Sequence, residues 1–168
     1  MTDFGSPSST LVGSDLVMPE SGKIRCGPVV MTPVGQRRTT HQPVFYMRQR
    51  YPIASVNAGA DILTGLAGLS FRMVDCKMVA IGGAVTTVTT IDILGTQNGS
   101  SVKLVAFAQA SLTQSTVLTA GGAGATVLAD GASYAVNDAG TGMTINITGD
   151  AATVVTHIDV YLSYVVEA

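Results

Sequence analysis

The chain has 168 residues, with 9 Lys and Arg against 11 Asp and Glu, a formal net charge of −2, two Cys, six Pro and no Trp. That length suffices for one domain with a substantial core and no need of disulfide staples, and no run approaches the roughly 18 apolar residues of a transmembrane helix. Charged residues make up 12% where about 25% is ordinary, so each charge would serve roughly 390 Å² of a ~7,800 Å² monomer surface instead of about 190 Å². With a mean hydropathy of +0.40 and no membrane segment, much of that surface is expected to be covered by other subunits.

In chain order, the opening MTDFGSPSST has an acidic residue and no apolar h-region, so no Sec-type signal peptide is expected there. All six prolines, at positions 7, 19, 28, 33, 43 and 52, fall in the first 52 residues. Each removes a donor and fixes φ, which leaves no room for a long helix or a central strand. Residues 1–52 therefore read as an extended arm ahead of a domain over 53–168. The first 50 residues carry Lys23, Arg25, Arg37, Arg38, Arg48 and Arg50 against Asp3, Asp15 and Glu20, a net +3, while residues 51–168 carry a net −5.

In ADILTGLAGL (60–69), Ile62, Leu63, Leu66 and Leu69 follow a possible Asp61 cap at near-helical spacing. This allows a short helix on the domain's edge, weakened by Gly65 and Gly68. Beyond it the chain reads as strands rich in Val, Ile and Thr: 71–81, 86–94, 102–109, 143–148 and the closing 155–166. Shorter candidates lie near Val117–Leu118, Val127–Leu128 and Ser133–Val136. Gly82-Gly83, Asn98-Gly99, Gly121-Gly122, Asp130-Gly131 and Gly140 punctuate them. Asn98-Gly99 is the clearest hairpin mark, because a type I′ turn needs positive φ at both positions. In the final segment His157, Asp159, Tyr161 and Ser163 alternate with Ile158, Val160, Leu162, Tyr164 and Val166, as in a strand with one face on a core. About eight short strands in some 115 residues predict an all-β, jelly-roll-like sandwich.

No catalytic constellation emerges. His157 and Ser163 lie on one strand, roughly 20 Å apart, where a nucleophile and its base need about 3 Å. His41 and His157 lack a third ligand at zinc spacing. Asp130, Asp138 and Asp150 sit in Gly-rich turns, where Asp assists the backbone, with no calcium-loop pattern joining them. GGAGATVLADG (121–131) lacks the third glycine of a dinucleotide fingerprint and any GK[ST], and reads as a loop. Cys26 and Cys76 are lone thiols read as small hydrophobes rather than a bridge. Asn98-Gly99-Ser100 and Asn146-Ile147-Thr148 match a glycosylation acceptor but read as a turn and as strand alternation. No metal and no cofactor are expected. Arg37, Arg38, Arg48 and Arg50, with Phe45 and Tyr46 between the pairs, are too thin an electrostatic footprint for nucleic acid. They suit an acidic protein surface, which Arg can grip bidentately.

The proline-punctuated start, followed by TVLTAGGAGATVLADGASYAVNDAGTGMTINITG and THIDVYLSYVV, resembles the decoration, cement and head-fibre proteins of tailed-bacteriophage capsids. The likeness covers roughly residues 53–168 and lies in texture, without an invariant motif. It implies a jelly-roll-like domain, commonly a homotrimer, on the capsid exterior, bridging subunits of the major capsid protein with no active site and no membrane. The arm residues Arg37, Arg38, Phe45, Tyr46, Arg48 and Arg50 would then face the capsid. The alternatives are a carbohydrate- or receptor-binding β module of a spike or tail, which the absence of Trp disfavours, and an enzyme on a β scaffold, for which titratable groups are scarce.

Overall fold

The computed structural model describes residues 43–167 and, in the preceding unit, the backbone of two short antiparallel pairs. Those pairs are β1 (Leu11–Val12) with β2 (Asp15–Leu16), and β3 (Ile24–Cys26) with β4 (Val29–Met31). Arg37, Arg38, His41 and the side chain of Cys26 lie outside the described residues.

From Pro43 onward the chain is a β-sandwich of nine strands. They are β5 (Val44–Pro52), β6 (Ala60–Leu63), β7 (Ser70–Ile81), β8 (Thr86–Gln97), β9 (Ser100–Ala108), β10 (Val117–Thr119), β11 (Ala125–Thr126), β12 (Met143–Thr153) and β13 (His157–Glu167). One sheet has the order β10-β7-β13-β5 and the other β11-β9-β8-β12-β6, with every named pairing antiparallel. Consecutive strands repeatedly change sheets, and the four-strand orders β5-β13-β7-β10 and β6-β12-β8-β9 are those of a jelly roll, with β11 added at the edge. The expected fold class is thus the one observed.

Period-two alternation builds the core. Ile158, Val160 and Leu162 of β13, Ile91 and Ile93 of β8, and Ile145 of β12 are each no more than 1% exposed and meet between the sheets. In β7 the buried set changes phase, from Phe71 and Met73 to Cys76, Met78 and Ala80. The phase change is a bulge: opposite β13, Ser163 pairs with Asp75 and Tyr164 with Met73, leaving Val74 as the extra residue. The Asn98-Gly99 turn has φ of 52° and 72° and joins Gln97 to its partner Ser100, as a two-residue hairpin loop requires.

Three expectations are corrected. The boundary between the two units falls at residue 42 rather than 52, because Val44–Pro52 is a strand of the sandwich, and most of the arm expected before it lies outside the described residues. Pro43 and Pro52 enclose a proline-free run, and an edge strand needs its donors on one side only. The helical spacing at 60–69 yields strand β6 and a turn, whereas the one α-helix among the described residues, α1, is Ile53–Ala58. Here tertiary contact overrides local spacing. A Cβ on Gly65 would stand 2.1 Å from the Gly140 carbonyl oxygen, and one on Gly142 would stand 2.0 Å from that of Leu63. The two backbones are therefore packed too tightly for a helix face. Finally, Ser133–Val136 is mostly a 3-10 turn, Ala132–Tyr134, with Val136 bridging Arg72.

Helix α1 carries the chain from one sheet to the other. Val56 is fully buried, and the Asn57 side chain donates to the Ala152 carbonyl (3.0 Å) and accepts from the Ala152 N–H (2.8 Å), acting as a strand partner for the end of β12.

Candidate functional site

Of the residues singled out in sequence, Phe45, Tyr46, Arg48 and Arg50 lie on β5, at a border of the four-stranded sheet that no other described strand covers, while Arg37 and Arg38 lie outside the described residues. Strand β13 lies between β7 and β5. Its register sets Arg50 opposite Asp159, Arg48 opposite Tyr161, Tyr46 opposite Ser163 and Phe45 opposite Tyr164. Directly opposed and diagonal side chains on one face are within mutual reach.

Asp159 uses that reach fully. Arg50 donates from Nε to Oδ1 (2.6 Å) and from Nη2 to Oδ2 (2.9 Å), a bidentate fork, and Arg48 adds a bond from Nη2 to Oδ2 (2.8 Å). The carboxylate is 1% exposed although it points away from the core, because the two half-exposed guanidiniums lie over it. Hydrogen bonds from Arg50, then from Arg48, outweigh its desolvation and hold its pKa down at about 2. The Arg48 guanidinium also stands 5.2 Å from the centre of the Tyr161 ring.

The expected role of Arg48 and Arg50 toward a partner's carboxylates is therefore modified. They belong to the sandwich rather than to an arm, and they already share one carboxylate of their own chain. That leaves one positive charge over the pair, with Arg48 committing a single nitrogen to Asp159. Other charges on this sheet are paired too: Arg72 Nε with Glu167 (2.9 Å) and, more loosely, Lys77 with Asp75 (3.8 Å).

The two aromatic residues diverge. Phe45 stacks on Tyr164 (5.6 Å between centroids), which in turn meets Phe71 edge-on (5.9 Å), so Phe45 anchors the strand inward. Tyr46 faces outward and is 80% exposed. With Val44 and the partly exposed Phe45 it forms an apolar start to β5.

The other candidates occupy structural positions. Asp138 accepts from the N–H groups of Asn98 (3.0 Å) and Gly99 (2.7 Å), holding the β8–β9 hairpin, and Asp130 accepts from Ala132 N–H (2.9 Å). His157 Nδ1 lies 3.0 Å from Thr156 Oγ1. The Asn146 side chain accepts from the neighbouring Ile147 N–H (2.8 Å). Cys76 is fully buried, and burial followed by the charge of Asp75 pushes its thiol up to about 12. Among the described residues no three His, Cys, Asp or Glu side chains cluster closely enough to hold a metal ion, and no helix is long and apolar enough to cross a membrane.

Sequence reasoning missed a second buried carboxylate. Asp92, in the middle of the five-stranded sheet, is 1% exposed; its Oδ2 meets Lys103 Nζ (2.8 Å) and accepts from Thr148 Oγ1 (2.6 Å), while Oδ1 has no hydrogen-bond partner. The available signal was a lone Asp among β-branched residues in TTIDIL.

Comparison of the chain with protein-family models, with curated proteins and with solved structures gives no match.

Proposed function

We propose that this chain is a structural virion protein that binds the outer surface of an icosahedral phage capsid and stabilises it by bridging major capsid subunits. The observation that carries the reading is a jelly-roll sandwich with a long, regular border strand bearing exposed Val44, Phe45 and Tyr46, on a chain with half the usual density of charge. A sheet of this kind is made to be covered. The charged groups of β5 and β13 support the same reading, since Arg48, Arg50 and Asp159 are bonded to one another and hold the border strand in place. In this role the protein associates with itself, as a homotrimer, and with the major capsid protein. Contacts present only in the assembled shell stabilise that shell by linkage.

The test uses particles of the virus that encodes the chain, prepared with and without it. Electron cryomicroscopy should find its density outside the shell at subunit junctions, and shells lacking it should rupture at lower temperature. A protein found only in the tail, or shells equally robust without it, would refute the assignment. Glycan-array binding by the purified chain, with bare shells, would favour the receptor-binding alternative.

A further inference from the structure

A sandwich of two open sheets has four borders, and here they are unequal. Strands β10, β11 and β6 are three, two and four residues long, while β5 has nine. Shortness is a usual way to blunt an edge, as are internal prolines and bulges. Strand β5 has none of these. Its prolines stand at its end and just before it, and its register with β13 runs from Val44 to Pro52 without a shift. Among the described residues no strand pairs with its other side. The Asp159 fork and the Phe45–Tyr164 stack hold this border straight in advance, which lowers the ordering cost of adding a strand.

We propose that β5 accepts an extended segment of the partner protein as a fifth strand of its sheet, and that this segment carries a carboxylate beside Arg48. Strand addition draws its affinity from backbone hydrogen bonds and its specificity from alternate side chains. On the outward face those would be the side chains next to Tyr46, Arg48 and Arg50. Two guanidiniums on one carboxylate leave a positive charge there, and Arg48 keeps nitrogens free of Asp159 to receive a second acid. An apolar or β-branched residue two positions from that acid would cover Tyr46. Charge also argues against a second copy as occupant: antiparallel pairing centred on Arg48, the middle of β5, sets Arg48 directly against Arg48 of the other chain with each Arg50 diagonal to it, an unfavourable cross-strand arrangement. The inference rests on the preceding reading only for the identity of the partner.

The probe is the blocked peptide Thr-Val-Thr-Glu-Thr-Val-Thr, with a second version carrying Lys for Glu, added to the full chain and followed by hydrogen exchange and mass spectrometry. With the Glu peptide, the amides of residues 44–51 that are not bonded to β13 should slow by about tenfold at saturation, and the Lys peptide should bind about two- to fivefold more weakly. Tyr46→Glu sets a negative charge beside Arg48 on an exposed position of the border and should abolish protection by the Glu peptide without lowering the melting temperature. Val117→Lys, on the border formed by β10, should change nothing. Protection appearing elsewhere, equal binding of both peptides, or Glu-peptide binding undiminished in Tyr46→Glu would overturn the proposal. So would prior protection, before peptide is added, of those amides in residues 44–51 that are not bonded to β13, or self-association through β5. Shells decorated equally well by Tyr46→Glu would sink this inference and spare the virion reading, whereas undecorated shells with a peptide-binding border would do the reverse.

Discussion

Replacing Asp159 by Asn keeps the shape of the side chain and removes the charge that two arginines share. The folded protein lowers this carboxyl from an ordinary 3.8 to about 2, which corresponds to roughly 2.4 kcal/mol at 1.36 kcal/mol per tenfold. Both guanidiniums are about half exposed, at 59% and 51%, so solvent screening reduces the expected loss to about 1–2 kcal/mol. For a domain of this size that is a fall in melting temperature of about 4–8 °C. The direction with pH follows from the depressed value. Stability from this group is fully present above the unfolded carboxyl's pKa and drains away as pH falls through the folded one. Urea unfolding of both proteins at pH 7, 5, 3 and 2, at one protein concentration, should give a difference that is constant at the first two and nearly gone at the last. A difference under about 0.5 kcal/mol at pH 7, or one that persists unchanged at pH 2, would refute the reasoning that Asp159 is held ionised by Arg48 and Arg50.

Asp92→Val should behave differently: Lys103 is half exposed and can return to water, and one carboxylate oxygen has no partner to lose, so unfolding should report a change within about 1 kcal/mol in either direction. Gly142→Ala sets a methyl group against the Leu63 carbonyl and should cost about 2–4 kcal/mol, seen as a lowered urea midpoint or loss of soluble protein. Asp138→Ala leaves two turn N–H groups without their carboxylate; amide exchange at Asn98 and Gly99 should quicken by about tenfold or more, with a global loss of about 1–2 kcal/mol. In a Cys26→Ser background, Cys76 should resist a thiol reagent at pH 8 and react only as fast as the protein opens, since burial keeps it a thiol.

Much of the fold was legible because strands write their period into the chain. The alternation of β13 and the Asn98-Gly99 turn can be seen in the residues, whereas the bulge in β7 shows only in its register with β13. The misreadings occurred where local signals were weak or pointed elsewhere. Prolines at 43 and 52 suggested an arm, although Phe45, Met47 and Tyr51 alternate inward between them. ADILTGLAGL has helical spacing, but pairing with β12 and the close approach of Gly65 to Gly140 outweighed it. The candidate site was half legible: Arg48, Arg50, Phe45 and Tyr46 were identified by type, but their anchor was not. Asp159 lies 109 residues beyond Arg50 in the chain, and nothing local to either residue marks the pairing.

From the amino-acid order alone came the fold class, the main strands and the scarcity of charge, because each depends on residue type or on periods of two that neighbouring positions carry. The tertiary structure alone decided which strands share a sheet, which long border no other described strand covers, and that one aspartate on an outward face is sealed by two arginines. Those are consequences of register between distant segments, and register is chosen when the whole core closes, by the sum of contacts that no single segment contains.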